Sequence, residues 1–297
     1  MNKCYIIVLS LFILIVSCDI DPVHTDYTGW PYIDNTGLTD PDNLTTVGDT
    51  TITISGVTIE NLNVIGQLTI QANNITVRNC RVWGGMFYGV VFMSGYSGNV
   101  IEDCDIGKNY TNSSKGILIK TEENTEVTIR RCYIHHVGDG IFGGGGDDPS
   151  PKAKLTVQDC YITDIRETDG NDTVDTIDDH KGDGMEFLGQ MSETLIEHNN
   201  IDVPNDQTSC LLFQAHWGNL GDVTIKDNLL NGAGYTIYTR IREGRTFDGL
   251  TIINNHFGRN YHYGIWSNDF DTTEITAYGN LWHDTGEPVE GLLGTTE

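Results

Sequence analysis

The sequence predicts a single all-β domain, a solenoid of short parallel strands. The prediction rests on a short frame that recurs along most of the chain, a composition made for strands and tight turns, and the lack of any helical period. The frame reads VRNCRV at Cys80, IEDCDI at Cys104, IRRCYI at Cys132 and VQDCYI at Cys160. It continues with Asn in place of Cys as IEHNNI at Asn199, IKDNLL at Asn228, IINNHF at Asn255 and AYGNLW at Asn280, with an earlier version around Leu62. Successive intervals from Cys80 are 24, 28, 28, 39, 29, 27 and 25 residues. A repeat of this length buries its inner face only by stacking on its neighbours.

Three short strands and three turns fit such an interval, and equivalent side chains then stack about 4.8 Å apart. The Cys and Asn positions become interior ladders. Asn amides can bond along the axis as well as to the turn backbone. Parallel Cβ vectors on adjacent coils make poor disulfides, and no CxxC spacing supports zinc. The composition agrees, with 34 Gly and 7 Pro and many Thr, Ile, Val, Asn and Asp residues.

Charge narrows the partners. The chain of 297 residues carries 17 Lys plus Arg against 42 Asp plus Glu, a formal charge of −25. Non-specific attraction to nucleic acid or to an anionic bilayer is therefore disfavoured. Lys3 followed by an apolar run from Tyr5 to Val16 reads as a secretory signal, too short for a comfortable membrane span. The tetrapeptide Ile15-Val16-Ser17-Cys18 resembles the bacterial lipobox, which implies lipidation of Cys18 and a cell-envelope location. The expected organisation is a signal over 1–17, a lipidated Cys18 and tether over 18–44, the solenoid over 45–285 and a tail over 286–297.

On these frames, residues of roughly 45 to 285 resemble the right-handed parallel β-helix proteins of bacteria and phages. Those include pectate, alginate and chondroitin lyases, polygalacturonases and tailspike depolymerases. The opening TGWPYIDNTGLTDPDNLT, the turns HHVGDGI and KGDGMEF and the late NNHFGRNYHYGI resemble a subgroup of exported β-helix proteins. The resemblance implies a single-domain right-handed parallel β-helix. It implies little about chemistry, since one fold hosts many activities.

A second set of aligned strands runs GVVFMS, GILIKT, GIFGGG, GMEFLG, SCLLFQ, TIYTRI and GIWSND. Strand side chains alternate. Placing Val90, Ile117, Ile141, Met185, Cys210, Ile237 and Ile265 inward puts Val91, Leu118, Phe142, Glu186, Leu211, Tyr238 and Trp266 outward. The next outward column is Met93, Lys120, Gly144, Leu188, Phe213, Arg240 and Asn268. Aromatics beside charged and amide groups suit a glycan, whose rings offer apolar faces and hydroxyls. The other reading of these aromatics is core beneath a covering loop.

Candidate catalytic residues are Arg240, Tyr238, His216, Lys181 and Glu186. Trp266, Phe213, Asn268 and Lys120 are the expected sugar contacts. The long interval holds an acidic insertion in which Asp178, Asp179 and Asp183 offer oxygen ligands suited to calcium, beside the alternative of a solvated loop. Two functions follow. One is a polysaccharide lyase, in which Arg240 or calcium acidifies a uronate C5–H and Lys120, Lys181, His216 or Tyr238 moves the proton. Hydrolysis by Glu186 with Asp183 or Asp139 is its variant. The other is a non-catalytic, lipid-anchored glycan-binding module on the same face.

Overall fold

The computed structural model describes residues 29–84, 87–107, 114–166, 182–268 and 274–290, together with the backbone of the strands Tyr5–Leu9 and Phe12–Val16. From Thr45 onward the chain winds repeatedly through three parallel sheets. The first sheet has nine strands, from Thr50–Ile52 to Gly264–Asn268. The second also has nine, from Thr58–Glu60 to Glu274–Tyr278. The third has ten, from Thr45–Val47 to Leu281–Trp282. Each coil takes one strand from the third sheet, then the first, then the second. Among the described residues every regular element is a strand, and pairing between coils is parallel throughout.

The recurring frame is the turn from the second sheet to the third. Its first residue adopts the left-handed conformation in coil after coil: Asn61, Asn79, Asp103, Arg131, Asp159, His198, Asp227 and Asn254 have φ between 47° and 60°. Asn and Asp tolerate that region better than most side chains. The next residue points inward and forms the ladder. Backbone N–H groups of Cys80 and Cys132 point at the Sγ of Cys104 and Cys160, both at 3.4 Å. The donors then switch to amides: Cys160 N–H donates to Asn199 Oδ1 (2.9 Å), Asn199 to Asn228 (2.8 Å), Asn228 to Asn255 (3.0 Å) and Asn255 to Asn280 (3.0 Å). Each of Asn199, Asn228 and Asn255 also donates Nδ2 to one backbone carbonyl of its own coil and one of the preceding coil. All five described cysteines are buried and unbridged.

The core is filled by stacked columns of apolar side chains. In the first sheet Val90, Ile117, Ile141, Met185, Leu211 and Ile237 stack in register, all fully buried, followed by the partly buried Trp266. The acidic insertion interrupts nothing. The strand Tyr161–Ile165 before it and Asp183–Phe187 after it pair with the coils above and below.

Residues 29–44 differ from the expected tether. They run along the outer surface from the last coils to the first. Trp30 sits among the rings of His198, His256 and His283, at centroid distances of 5.7, 5.2 and 6.4 Å. Asn200 Nδ2 donates to Pro31 O (2.9 Å), Gly37 N–H to Arg131 O (2.9 Å), and Asn79 Oδ1 accepts the N–H groups of Thr39 and Asp40. Gly37 has φ 82° and passes so close to Tyr133 that a Cβ would lie 3.1 Å from that side chain, so glycine suits both demands. The segment is a strap rather than a leash.

Candidate functional site

The outer face of the first sheet is where alternation placed it for five of its coils. Val91, Leu118, Phe142, Glu186 and Tyr238 share one outward column, because Val90, Ile117, Ile141, Met185 and Ile237 fill the core. Arg240 also faces out, being exposed between the buried Thr239 and the half-buried Ile241. Two coils depart from the expected phase. In the strand Ser209–Ala215, Leu211 and Phe213 point inward, and Leu212 takes the outward place beside Glu186 and Tyr238. Phe213 is fully buried and stacks on Phe187 at 5.4 Å, so it is core and cannot hold a sugar. In Gly264–Asn268, Trp266 pairs with Ile237 and packs against the core, its Nε1–H donating to Thr239 Oγ1 at 3.1 Å. Ser267 has the outward position. Cys210 is buried as expected, but under the backbone: its Sγ lies near the carbonyls of Ile201 and Asn231.

The residues that precede the opening glycines form the centre of this face. Lys115, Asp139 and Asp183 stand immediately before Gly116, Gly140 and Gly184, and Ser209 occupies the same place in the next coil. Lys115 pairs with Asp139, and its Nζ lies 4.0 Å from Glu186 Oε2. Asp183 donates its backbone N–H to Asp139 Oδ1 at 2.8 Å and is hydrogen-bonded by Ser209 Oγ. Carboxylate oxygens of Asp139, Asp183 and Glu186 all lie within 4.8 Å of one another. The glycines are what allow this crowding. A Cβ at Gly140 or Gly184 would meet the carbonyl of the coil above at 2.4 or 2.5 Å, so the coils could not close up with any side chain there.

Burial and like charge set the protonation of the cluster. Asp183 is held well above the ordinary carboxylate range, first by desolvation and then by the charges of Asp139 and Glu186. Asp139 has the Lys115 ammonium against it. Glu186 keeps the most exposed carboxylate of the three, at 18% of its side chain. The site therefore sets a buried carboxyl group whose proton is held more tightly than usual beside the more exposed carboxyl group of Glu186.

An aromatic wall flanks it. Lys115 Nζ lies over the Phe142 ring at 5.1 Å, and Phe142 meets Trp217 edge-on at 6.3 Å. Both rings pack where Gly144 has no side chain. Beyond them a cleft of about 540 Å³ is lined by Gly145, Gly146, Asp147, Trp217 and Arg242. His216 is adjacent and half-buried, with Gln214 Nε2 3.3 Å from its Nδ1. Lys120 stands outward with its Nζ 3.8 Å from Glu122. Tyr238 stacks on Tyr235 at 5.9 Å.

Lys181, Asp178, Asp179, Cys18 and the side chain of Asn268 lie outside the described residues. His135 and His136 belong to a strand of the third sheet, where His135 Nε2 meets Asp105 Oδ1 at 2.9 Å. The frame K/D/D before Gly116, Gly140 and Gly184 was the sequence signal for Lys115. The signal for Ser209 was the same place one coil later.

A model of the family described as "Right handed beta helix region" matches residues 23–175 and 115–289. The chain belongs to the right-handed β-helix family. No curated protein matched it. Among solved structures this β-helix is similar to the Dettilon tailspike protein, at 14% identity and a TM-score of 0.29, over 82% of this chain and 60% of that one. The β-helix chain thus spans about three-fifths of the tailspike chain.

Proposed function

We propose that this β-helix protein binds a polysaccharide along the outer face of its first sheet and hydrolyses it at the Asp139–Asp183–Glu186 cluster. The observation that carries the reading is the convergence of the Asp139, Asp183 and Glu186 carboxyl groups within 4.8 Å, with Lys115 against Asp139 and burial raising the pKa of Asp183. Two neighbouring carboxyl groups that share one proton supply an acid for the leaving oxygen and a base for water at the same pH. Glu186 reaches the substrate. Asp183 holds the proton next to it, and Phe142 with Trp217 offers apolar ring faces to the neighbouring sugar.

β-Elimination on a uronate-containing glycan is the second reading. It is favoured by Arg240 and Tyr238, which lie on the same outward face as Glu186. Tyr238 stands two coils from Glu186, roughly 10 Å at the normal strand spacing. Calcium at Asp178, Asp179 and Asp183 would serve the same elimination by neutralising a uronate. At Asp183 the nearby Lys115 ammonium competes with it.

The test is incubation with alginate, pectate, glycosaminoglycans and neutral polysaccharides, with and without calcium, followed by assays of new reducing ends and of unsaturated-uronate absorbance. Reducing ends without absorbance, abolished by Glu186→Gln, are the expected result. Absorbance selects elimination. Glycan binding with neither product makes the protein a non-catalytic adhesive module, and an absence of binding refutes both.

The lipobox carries a separate proposal: Cys18 anchors the protein to a membrane in the cell envelope. Cys18→Ser should leave the chain unprocessed or in the soluble fraction, and unchanged lipid labelling of that variant would refute it.

A further inference from the structure

The third sheet carries a second cleft, of about 340 Å³, that no part of the reaction above uses. Its floor is the outward face of the last coils, and one wall is the strap. Tyr161 lies parallel to Tyr133 of the preceding coil, at 5.5 Å and 12°. Tyr32 comes from the strap at 5.8 Å from Tyr161 and tilted by 56°, so the two rings make an open aromatic corner. The strap is fixed there by the Asn200 bond to Pro31 O.

The polar floor is pre-oriented. Asn231 Nδ2 donates to Asp202 Oδ1 at 2.8 Å, and Asn231 Oδ1 accepts the Asn260 N–H at 3.2 Å. That fixes which way the amide and the carboxylate face. Gly258 keeps the floor open: a Cβ there would collide with Asn231 Oδ1 and come within 2.7 Å of Asn231 Cβ. The cation on the rim is already engaged. Arg259 Nε donates to Asp284 Oδ2 at 2.8 Å, and its guanidinium lies over the Trp282 ring at 3.9 Å. Beside that ion pair the lining offers the Asp202 carboxylate, the amides of Asn231 and Asn200, the His283 ring and the two tyrosines.

We propose that this cleft binds a single neutral pyranose unit, its ring on Tyr161 and Tyr32 and its hydroxyls on Asp202 and Asn231. The volume is at the small end of the roughly 300 to 1,000 Å³ typical of ligand clefts, which suits one sugar rather than a chain. Sugar C–H faces pack on aromatic rings. Fixed acceptors discriminate hydroxyl positions, because a mismatched hydroxyl leaves a desolvated polar group without a partner. A uronate is disfavoured, since Asp202 would face its carboxylate and Arg259 is held by Asp284. Because this site lies on another sheet, it would tether the glycan independently of the carboxylate cluster.

The test is saturation-transfer NMR on the full folded chain with the methyl glycosides of glucose, galactose and mannose. Transfer to at least one of them is expected in the natural protein and in Glu186→Gln. Gly258→Ala, which fills the floor, should abolish it, and Asp202→Asn, which keeps size and shape, should weaken it about tenfold or more. Asp202→Asn decides the question alone if Gly258→Ala does not fold. No transfer from any of the three glycosides, transfer only from glucuronic acid, or transfer unchanged by Asp202→Asn overturns the proposal.

Discussion

The backbone N–H of Asp183 donates to Asp139 Oδ1 at 2.8 Å, which locks two buried carboxyl groups of consecutive coils side by side. The arrangement is costly for the fold. Burial and the neighbouring charges raise the Asp183 pKa in the folded state, so between its unfolded value near 3.9 and the raised one the native protein binds the extra proton. Its contribution to stability is thus complete below about pH 4 and lost as pH rises through the folded pKa. Asp183→Asn is neutral at every pH and should melt progressively higher than the natural protein as the buffer moves from pH 5 to 8. It should also lose glycan cleavage. Equal melting curves at both pH values would show that Asp183 is ionised in the fold.

The ladder makes a different kind of prediction. Asn228 donates Nδ2 to Ile196 O, Lys226 O and Asn255 Oδ1, and its own Oδ1 accepts the Asn199 N–H. Asn228→Ala leaves the buried Asn199 N–H without its acceptor, whereas Lys226 O keeps the His198 N–H and Asn255 Oδ1 keeps the backbone N–H of residue 228, so the cost should be about 1 to 3 kcal/mol, the size for one unsatisfied buried group. Asn228→Cys should cost less, because Cys160 and Cys104 fill the same place with a sulfur accepting from the coil below. Urea unfolding followed by circular dichroism ranks the two variants.

The fold was legible in the sequence because the frame around Cys80 to Asn280 marks a turn whose first residue must enter the left-handed region and whose second must be small and buried. The outward face was legible only where the text alternates. GMEFLG has one polar residue flanked by apolar ones, which fixes the phase. SCLLFQ is apolar in both phases, so taking Ser209 as the equivalent of Gly184 slipped the strand by one and turned Phe213 out of the core. Gly264 misled in the same way and exposed Trp266. The equivalents of Ser209 and Gly264 are Asp183 and Tyr235. The strap was not legible at all, since its contacts reach across as many as 169 residues and leave no local period.

Two of the three histidines around Trp30, His198 and His256, should titrate on opposite sides of the usual histidine value. His198 Nδ1 meets Asp159 Oδ1 at 2.7 Å, and that bond raises its pKa. His256 is lowered, by burial first and by the nearby His283 second. The stabilising effect of His198 is present below about pH 6.5 and lost as pH climbs through its folded pKa. That of His256 is present above about pH 6.5 and lost as pH falls through its folded pKa. Because the signs oppose, the strap should stay docked across neutral pH. Proton NMR of the imidazole resonances reads both values, and a common midpoint would contradict the geometry.

Arg240 separates the two cleavage chemistries. Tyr238 of its strand pairs with Leu212, which pairs with Glu186, so Arg240 stands two coils away, roughly 10 Å along the axis. If Glu186 and Asp183 hydrolyse the bond, Arg240 touches a sugar beyond the scissile one. Arg240→Ala should then raise KM about tenfold on an acidic glycan and leave kcat and neutral substrates nearly unchanged. Elimination places the guanidinium on the uronate whose C5–H is removed, where it stabilises charge that develops in the transition state. Its loss would then fall on kcat, by about 2 to 4 kcal/mol, the size expected for removing one charge-stabilising group. Steady-state kinetics of the single variant on pectate and on a neutral polysaccharide distinguish the cases. A drop in kcat confined to the acidic substrate would move the reacting centre from Glu186 to the Tyr238–Arg240 strand.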